Sequence, residues 1–156
     1  MLTGRRPAGV SSAFATPSGA RPVLLATFDV PFAPEAAELA VESAVESGQP
    51  LLVVNVAPVP ILPISIAMGY EYAGTDEVEE SLRAPAELAY SLAVTVERLR
   101  VSTPHPVAAL LELVVERSPG LLVLGPDTSK VQRRLYRKAA KRVRDEAPCL
   151  VWLAPE

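Results

Sequence analysis

One cysteine, one histidine and one tryptophan in 156 residues leave little material for metal or thiol chemistry. Cys149 alone cannot close an intramolecular disulfide and suits a reducing compartment, so a cytoplasmic protein is expected. No Cys/His cluster has the spacing of a zinc site, and no metal is expected. Aromatic residues make up only 5% of a chain that is 49% hydrophobic. Its core is therefore aliphatic, of the kind that fills the space between a sheet and its covering helices. Ser11, Ser12 and the other serines have no recognisable general base, and the carboxylates lie on helix faces where solvation accounts for them. No catalytic residue is expected, and the chain reads as a non-enzyme.

The sequence also lacks a membrane span. Ser47 to Tyr70 carries no charge and exceeds the roughly 20 residues a spanning helix needs. Yet Pro50, Pro58, Pro60 and Pro63 interrupt it, each removing a helical hydrogen bond. A buried strand followed by an extended apolar loop over Ala57–Gly69 fits better, and its isoleucines 61, 64 and 66 need cover. Residues 1–20, rich in Gly, Ala, Ser and Pro and without periodicity or a long apolar core, read as a disordered tail and not a signal peptide. Residues 21–156 read as a single domain.

What remains alternates between two periods. Val23–Thr27, Leu51–Val56, Leu121–Leu124 and Leu150–Leu153 are short aliphatic runs, the pattern of strands covered on both faces. Between them lie stretches with helical spacing. The first opens at Glu35, carries Ala36, Leu39, Ala40 and Ala44 on one side, and stops at Gly48. The second is capped by Thr75 or Asp76 and continues its apolar face through Leu88, Leu92 and Val96, with Pro85 either kinking it or marking its true first turn. Arg98–Thr103 alternates as a third strand, although no glycine separates it from the helix before. Pro106–Glu116 is a short helix with Val107, Leu110, Leu111, Val114 and Val115. Five strands separated by four helical segments predict an α/β fold: a doubly wound, Rossmann-like parallel sheet with helices on both faces.

Charge is uneven. Net charge is only −3, yet eight of the fifteen Lys and Arg residues fall between Lys130 and Arg144. Val131, Leu135, Ala139 and Val143 form an apolar stripe there, widened by Tyr136 and Ala140, and Ser129 with Gln132 matches a capping box. Such a basic face is either simply solvated or a surface for polyanions or a partner. Only Tyr136 is near as a stacking platform, which argues against nucleic acid.

Gly120 to Pro155 reads strand, glycine loop, basic helix, strand, an order that places a helix N-terminus at the end of a buried strand. The strand ending at Gly125 and the closing Ala147-Pro148-Cys149 followed by an apolar strand resemble the universal stress protein family, over about 135 residues from Arg21. The resemblance implies an adenine-nucleotide α-hydrolase-like fold with strand order 3-2-1-4-5, a crevice between the first and fourth strands, and a homodimer. For the dimer it points to the last strand, Leu150, Val151, Trp152 and Leu153, with Trp152 as the anchor. It also implies a stress-response role.

Family members that bind ATP share a glycine, two residues, a second glycine, nine residues, then a glycine with serine or threonine. Gly125 fits the first position, Thr128 stands at the second, and Lys138-Ala139 stand at the last pair. Pro126 lacks an amide, Asp127 adds negative charge, and Lys138-Ala139-Ala140-Lys141 is a run of strong helix formers. The resemblance nominates Thr27, Asp29 (or Phe28, one residue off), Val56, Gly125, Thr128, Ser129, Lys138 and Ala139 as nucleotide-contacting positions. No cofactor is expected, and an ATP- or AMP-type nucleotide is the alternative. His105, between two prolines at the exit of the third strand, and Cys149, ahead of the last, read as a surface histidine and a small buried residue. The function expected is a homodimer acting through an unidentified protein partner. A nucleotide switch or slow ATPase with a rewired loop, and a polyanion module on residues 130–144, stand as alternatives.

Overall fold

The computed structural model describes residues 19–59 and 75–156. The expected tail over residues 1–20, apart from Gly19 and Ala20, lies outside them. So does the apolar loop from residue 60 onward.

The chain runs β1 (Val23–Thr27), α1 (Pro34–Ser47), β2 (Leu51–Pro58), α2 (Thr75–Ser91), β3 (Val96–Thr103), α3 (Pro106–Arg117), β4 (Leu121–Leu124), α4 (Arg133–Glu146) and β5 (Leu150–Leu153). All neighbouring strands pair in parallel, in the order β3-β2-β1-β4-β5. Val23 lies opposite Leu51 on one side and Leu121 on the other, so the first residues of the three central strands stand in line. The five-stranded parallel α/β sheet expected from the sequence is the fold observed. No helix among the described residues is long and apolar enough to cross a membrane.

The period of two along β1 divides the core. Val23 and Leu25 face a layer formed with α1 and α2, in which Ala36, Ala40, Ala44, Leu82 and Ala89 are buried. Leu24 and Ala26 face the opposite layer, with Leu110 and Val114 of α3 and Tyr136, Ala140 and Val143 of α4. The alanine face of α1 lets its backbone approach the sheet closely. Gly125, just after β4, meets that face, and a Cβ there would overlap the Cβ of Ala36. Gly48 ends α1 at φ 68°, its N–H donating to Ala44 and Val45.

Two local expectations are corrected, and the alternative left open at Pro85 is decided. Leu88 and Leu92, expected on the apolar face of α2, are about half exposed, Leu92 just beyond the helix end, and the buried face is Val78, Leu82, Ala86 and Ala89. Val96 belongs to β3, which starts two residues earlier than expected, and β2 runs on to Pro58. Pro85 stands inside α2 and not at its first turn. The helix stops without glycine because Ala93 takes the left-handed conformation, φ 67°, while Val94 N–H donates to Ala89. That conformation costs a residue with a Cβ about 1–2 kcal/mol, partly offset by the lower chain entropy of alanine relative to glycine. Ala93→Gly is expected to stabilise the domain by about 0.5–1 kcal/mol, a rise in Tm of about 2–4 °C by calorimetry.

Candidate functional site

The C-terminal ends of β1 and β4 diverge toward helices on opposite faces, which opens a crevice where their loops meet. On the β1 side the loop is drawn tight. Buried Thr27 donates its hydroxyl to the Val30 carbonyl at 2.7 Å. Asp29 is left-handed at φ 60°, and its N–H donates to Asn55 Oδ1 at 2.7 Å. Asn55 Nδ2 donates back to Asp29 Oδ1 at 3.1 Å, and Arg100 Nη1 lies 3.7 Å from the same oxygen. Asn55 is fully buried in β2, so these bonds satisfy it and draw the Asp29 carboxylate toward β2 and β3. Phe28 and Val30, either side of Asp29, line the cleft instead. Val56 is buried among the α3 and α4 layer.

On the β4 side the loop's polar groups are committed internally. Gly125 N–H donates to Ala26 and its carbonyl accepts from Ala33, both at 2.9 Å. Pro126 has no N–H and bridges Phe32. Asp127 N–H donates to the Pro31 carbonyl at 2.8 Å, and Lys130 N–H to the Asp127 carbonyl at 2.9 Å. The Asp127 carboxylate accepts from both the N–H and the hydroxyl of Ser129, at 3.1 and 2.7 Å. Thr128 donates its hydroxyl to the Pro155 carbonyl at 2.9 Å.

This arrangement corrects the expected capping box. Asp127 captures Ser129 in a local side-chain turn, a conformation that competes with helix initiation. The helix begins at Arg133, and Gln132 at its N-cap makes no side-chain cap bond. From there α4 is continuous through Lys138, Ala139 and Ala140 to Glu146, so their N–H groups lie within the helical hydrogen-bond pattern. Its buried stripe is Tyr136, Ala140 and Val143. Leu135, expected in that stripe, is 61% exposed.

The outcome is a cleft of about 740 Å³ along one face of α4. Phe28, Val30, Val107, Val131, Leu135 and Ala139 line it with apolar side chains, alongside Lys130 and Gln132. Lys138, Lys141, Arg142, Asp145 and Glu146 continue the same helix face toward its C-terminus. The sequence signal of this site is Asn55, the sole polar residue in an aliphatic strand, whose amide holds Asp29. Nothing in the periodicity marked Leu135 as exposed.

Of the eight cations from Lys130 to Arg144, six have a carboxylate within 4.0 Å among the described residues, leaving Arg134 and Lys138. His105 is exposed, and its N–H donates to the Thr103 hydroxyl. Cys149 is half-buried, and burial pushes its thiol pKa up, away from thiolate reactivity.

A family model described as the universal stress protein family matches residues 19–155. The chain belongs to the universal stress protein family. Solved structures of the same fold include a universal stress protein family member from Burkholderia pseudomallei, 21% identical, covering 86% of this chain and 96% of that one, TM-score 0.61. A universal stress protein from Archaeoglobus fulgidus, described in complex with dAMP, is 18% identical over 86% of this chain and 98% of its own, TM-score 0.58. A family protein from Arabidopsis thaliana, with AMP bound, is 18% identical over 86% and 90%, TM-score 0.53. At these identities the likeness is one of fold. No curated protein matches the sequence.

One titration reports on the end of α4. The Tyr136 hydroxyl donates to the Ala154 carbonyl at 2.8 Å, and burial pushes its pKa up from 10.0 to about 12. The unfolded chain releases this proton first, so the stability Tyr136 contributes is complete below pH 10 and declines as pH rises toward about 12. Alkaline denaturation followed by circular dichroism should show this decline. Tyr136→Phe should flatten it while costing about 1 kcal/mol at neutral pH.

Proposed function

We propose that this universal stress protein is a non-enzymatic, cytoplasmic homodimer that serves the stress response through contacts with a protein partner and holds no nucleotide tightly. The observation that carries the reading is the unbroken helix across Lys138, Ala139 and Ala140. A phosphate cradle needs backbone amides free of other partners and close approach without side chains. Here the amides at the ATP motif's last positions lie within a helix, and those of Gly125, Asp127, Ser129 and Lys130 already have acceptors. The Asp127 carboxylate adds negative charge to the loop, and Asp29 is engaged by Asn55 and Arg100.

The dimer seam we assign to β5. It is an edge strand with one side unpaired, Leu150 is 74% exposed, and Val151, Trp152 and Leu153 are each partly exposed. An aliphatic edge with a tryptophan at its centre favours pairing with a second copy. A polyanion role is less well supported, because most cations of α4 already have carboxylates beside them.

A nucleotide switch is the second reading, favoured by the dAMP and AMP of the Archaeoglobus and Arabidopsis relatives. Titration calorimetry with ATP and Mg²⁺ separates the two. No saturable heat at micromolar nucleotide is expected, and saturable micromolar binding would overturn the first reading. Sedimentation velocity checks the seam independently: Trp152→Glu is expected to yield monomer at concentrations where the native chain is dimeric, and a dimeric variant would reject β5.

A further inference from the structure

The cleft beside α4 has a composition that suits one class of ligand. Phe28, Val30, Val107, Val131, Leu135 and Ala139 line it with apolar side chains, and Lys130 and Gln132 flank Val131 in the same lining. The Tyr136 hydroxyl, also in the lining, is committed to the Ala154 carbonyl. A base, a sugar or an extended peptide carries hydrogen-bonding groups along its length, and those laid against the apolar side chains would lose water without gaining partners. An alkyl chain has none to lose.

Further along α4 the lining is charged, with Lys138, Lys141 and Arg142 beside Asp145 and Glu146. Lys138 stands one turn along α4 from Leu135, and Arg142 one turn further, on the same side. Lys138 has no carboxylate within 4.0 Å among the described residues, and Arg142 shares an exposed pair with Glu146 at 3.2 Å. Exposed pairs of this kind are weak and exchange readily for another anion. A volume of about 740 Å³ falls in the range of small-molecule sites.

We propose that the cleft binds a single-chain anionic amphiphile, a free fatty acid, with its chain against Leu135 and Phe28 and its carboxylate at Lys138 and Arg142. The inference is independent of the dimer and of the partner.

The test is displacement of dansyl-undecanoic acid, followed by its fluorescence, from the full chain below any micellar concentration. Dodecanoate should displace the probe saturably and at least ten-fold more strongly than dodecanol, which has the same chain without charge. Affinity should climb with chain length by up to about four-fold per methylene. Leu135→Asp should abolish probe binding. Lys138→Glu with Arg142→Glu should weaken dodecanoate about ten-fold and leave dodecanol unchanged. All three side chains are exposed, so the variants are expected to fold, as circular dichroism would verify. Equal displacement by acid and alcohol, native binding by Leu135→Asp, or absence of saturable probe binding would each overturn the proposal. Displacement by AMP at matching concentration would do so too, by returning the cleft to nucleotide.

Discussion

A helical N–H is satisfied by the carbonyl four residues before it, so an anion can claim only those amides a helix has left unpaired. In this chain that rule acts through the point at which α4 begins. Asp127 gathers Ser129 and Lys130 into a turn, the helix starts at Arg133, and it continues without a break to Glu146. Tyr136, one turn in, fixes the start by burying its ring and bonding Ala154, the residue after β5. Ala140 and Val143 continue the same buried stripe onto the sheet. The orientation of every other α4 side chain follows from these three.

With Tyr136, Ala140 and Val143 turned inward, helical geometry turns Leu135 and Lys138 outward and leaves Ala139 half-buried at the rim. The β1 loop meets them with Phe28 and Val30 because Asp29 between them is held the other way. Asn55 has to be hydrogen-bonded inside β2, and the Asp29 N–H and carboxylate supply both partners. The left-handed backbone at Asp29 is part of that exchange, a conformation aspartate tolerates better than most residues. On the far side of β4, Gly125 meets Ala36 with no room for a Cβ. Glycine at this position therefore has a packing cause that holds whether or not a phosphate is present.

The sheet was legible because its signal is redundant. Four aliphatic runs, each bounded by a helical period, admit few arrangements once parallel pairing and right-handed crossovers are required. Local features resting on a single competing interaction were not legible. Ser129 and Gln132 have the spacing of a capping box, but Asp127 two residues earlier holds Ser129 more directly. Leu88 and Leu92 carry the helical period of α2 on its outward side, and hydrophobicity alone could not tell them from Val78 and Leu82. Ala93 ends the helix in a conformation usually marked by glycine, so the boundary had no marker. At the candidate site, the family resemblance nominated Asp29 at the crevice, while its direction is set by Asn55 from another strand. Sequence spacing carries no information about such a contact.

The same Tyr136 hydroxyl joins two surfaces that the sequence keeps apart. Its ring forms part of the cleft floor, and its acceptor, Ala154, directly follows the edge strand β5. Ala154 N–H in turn donates to Leu124 at the end of β4. An occupant of the cleft therefore rests on a side chain one hydrogen bond from the end of the strand assigned to the dimer seam. Proximity alone does not couple two sites; coupling requires that each bias one element between two states. Tyr136 is too well buried to move freely, and its hydroxyl has no second acceptor among the bonds described. Cleft and seam are thus neighbours built on one rigid post, and a change at either reaches the other only by displacing that ring. Any such effect would be reciprocal, as binding linkage requires.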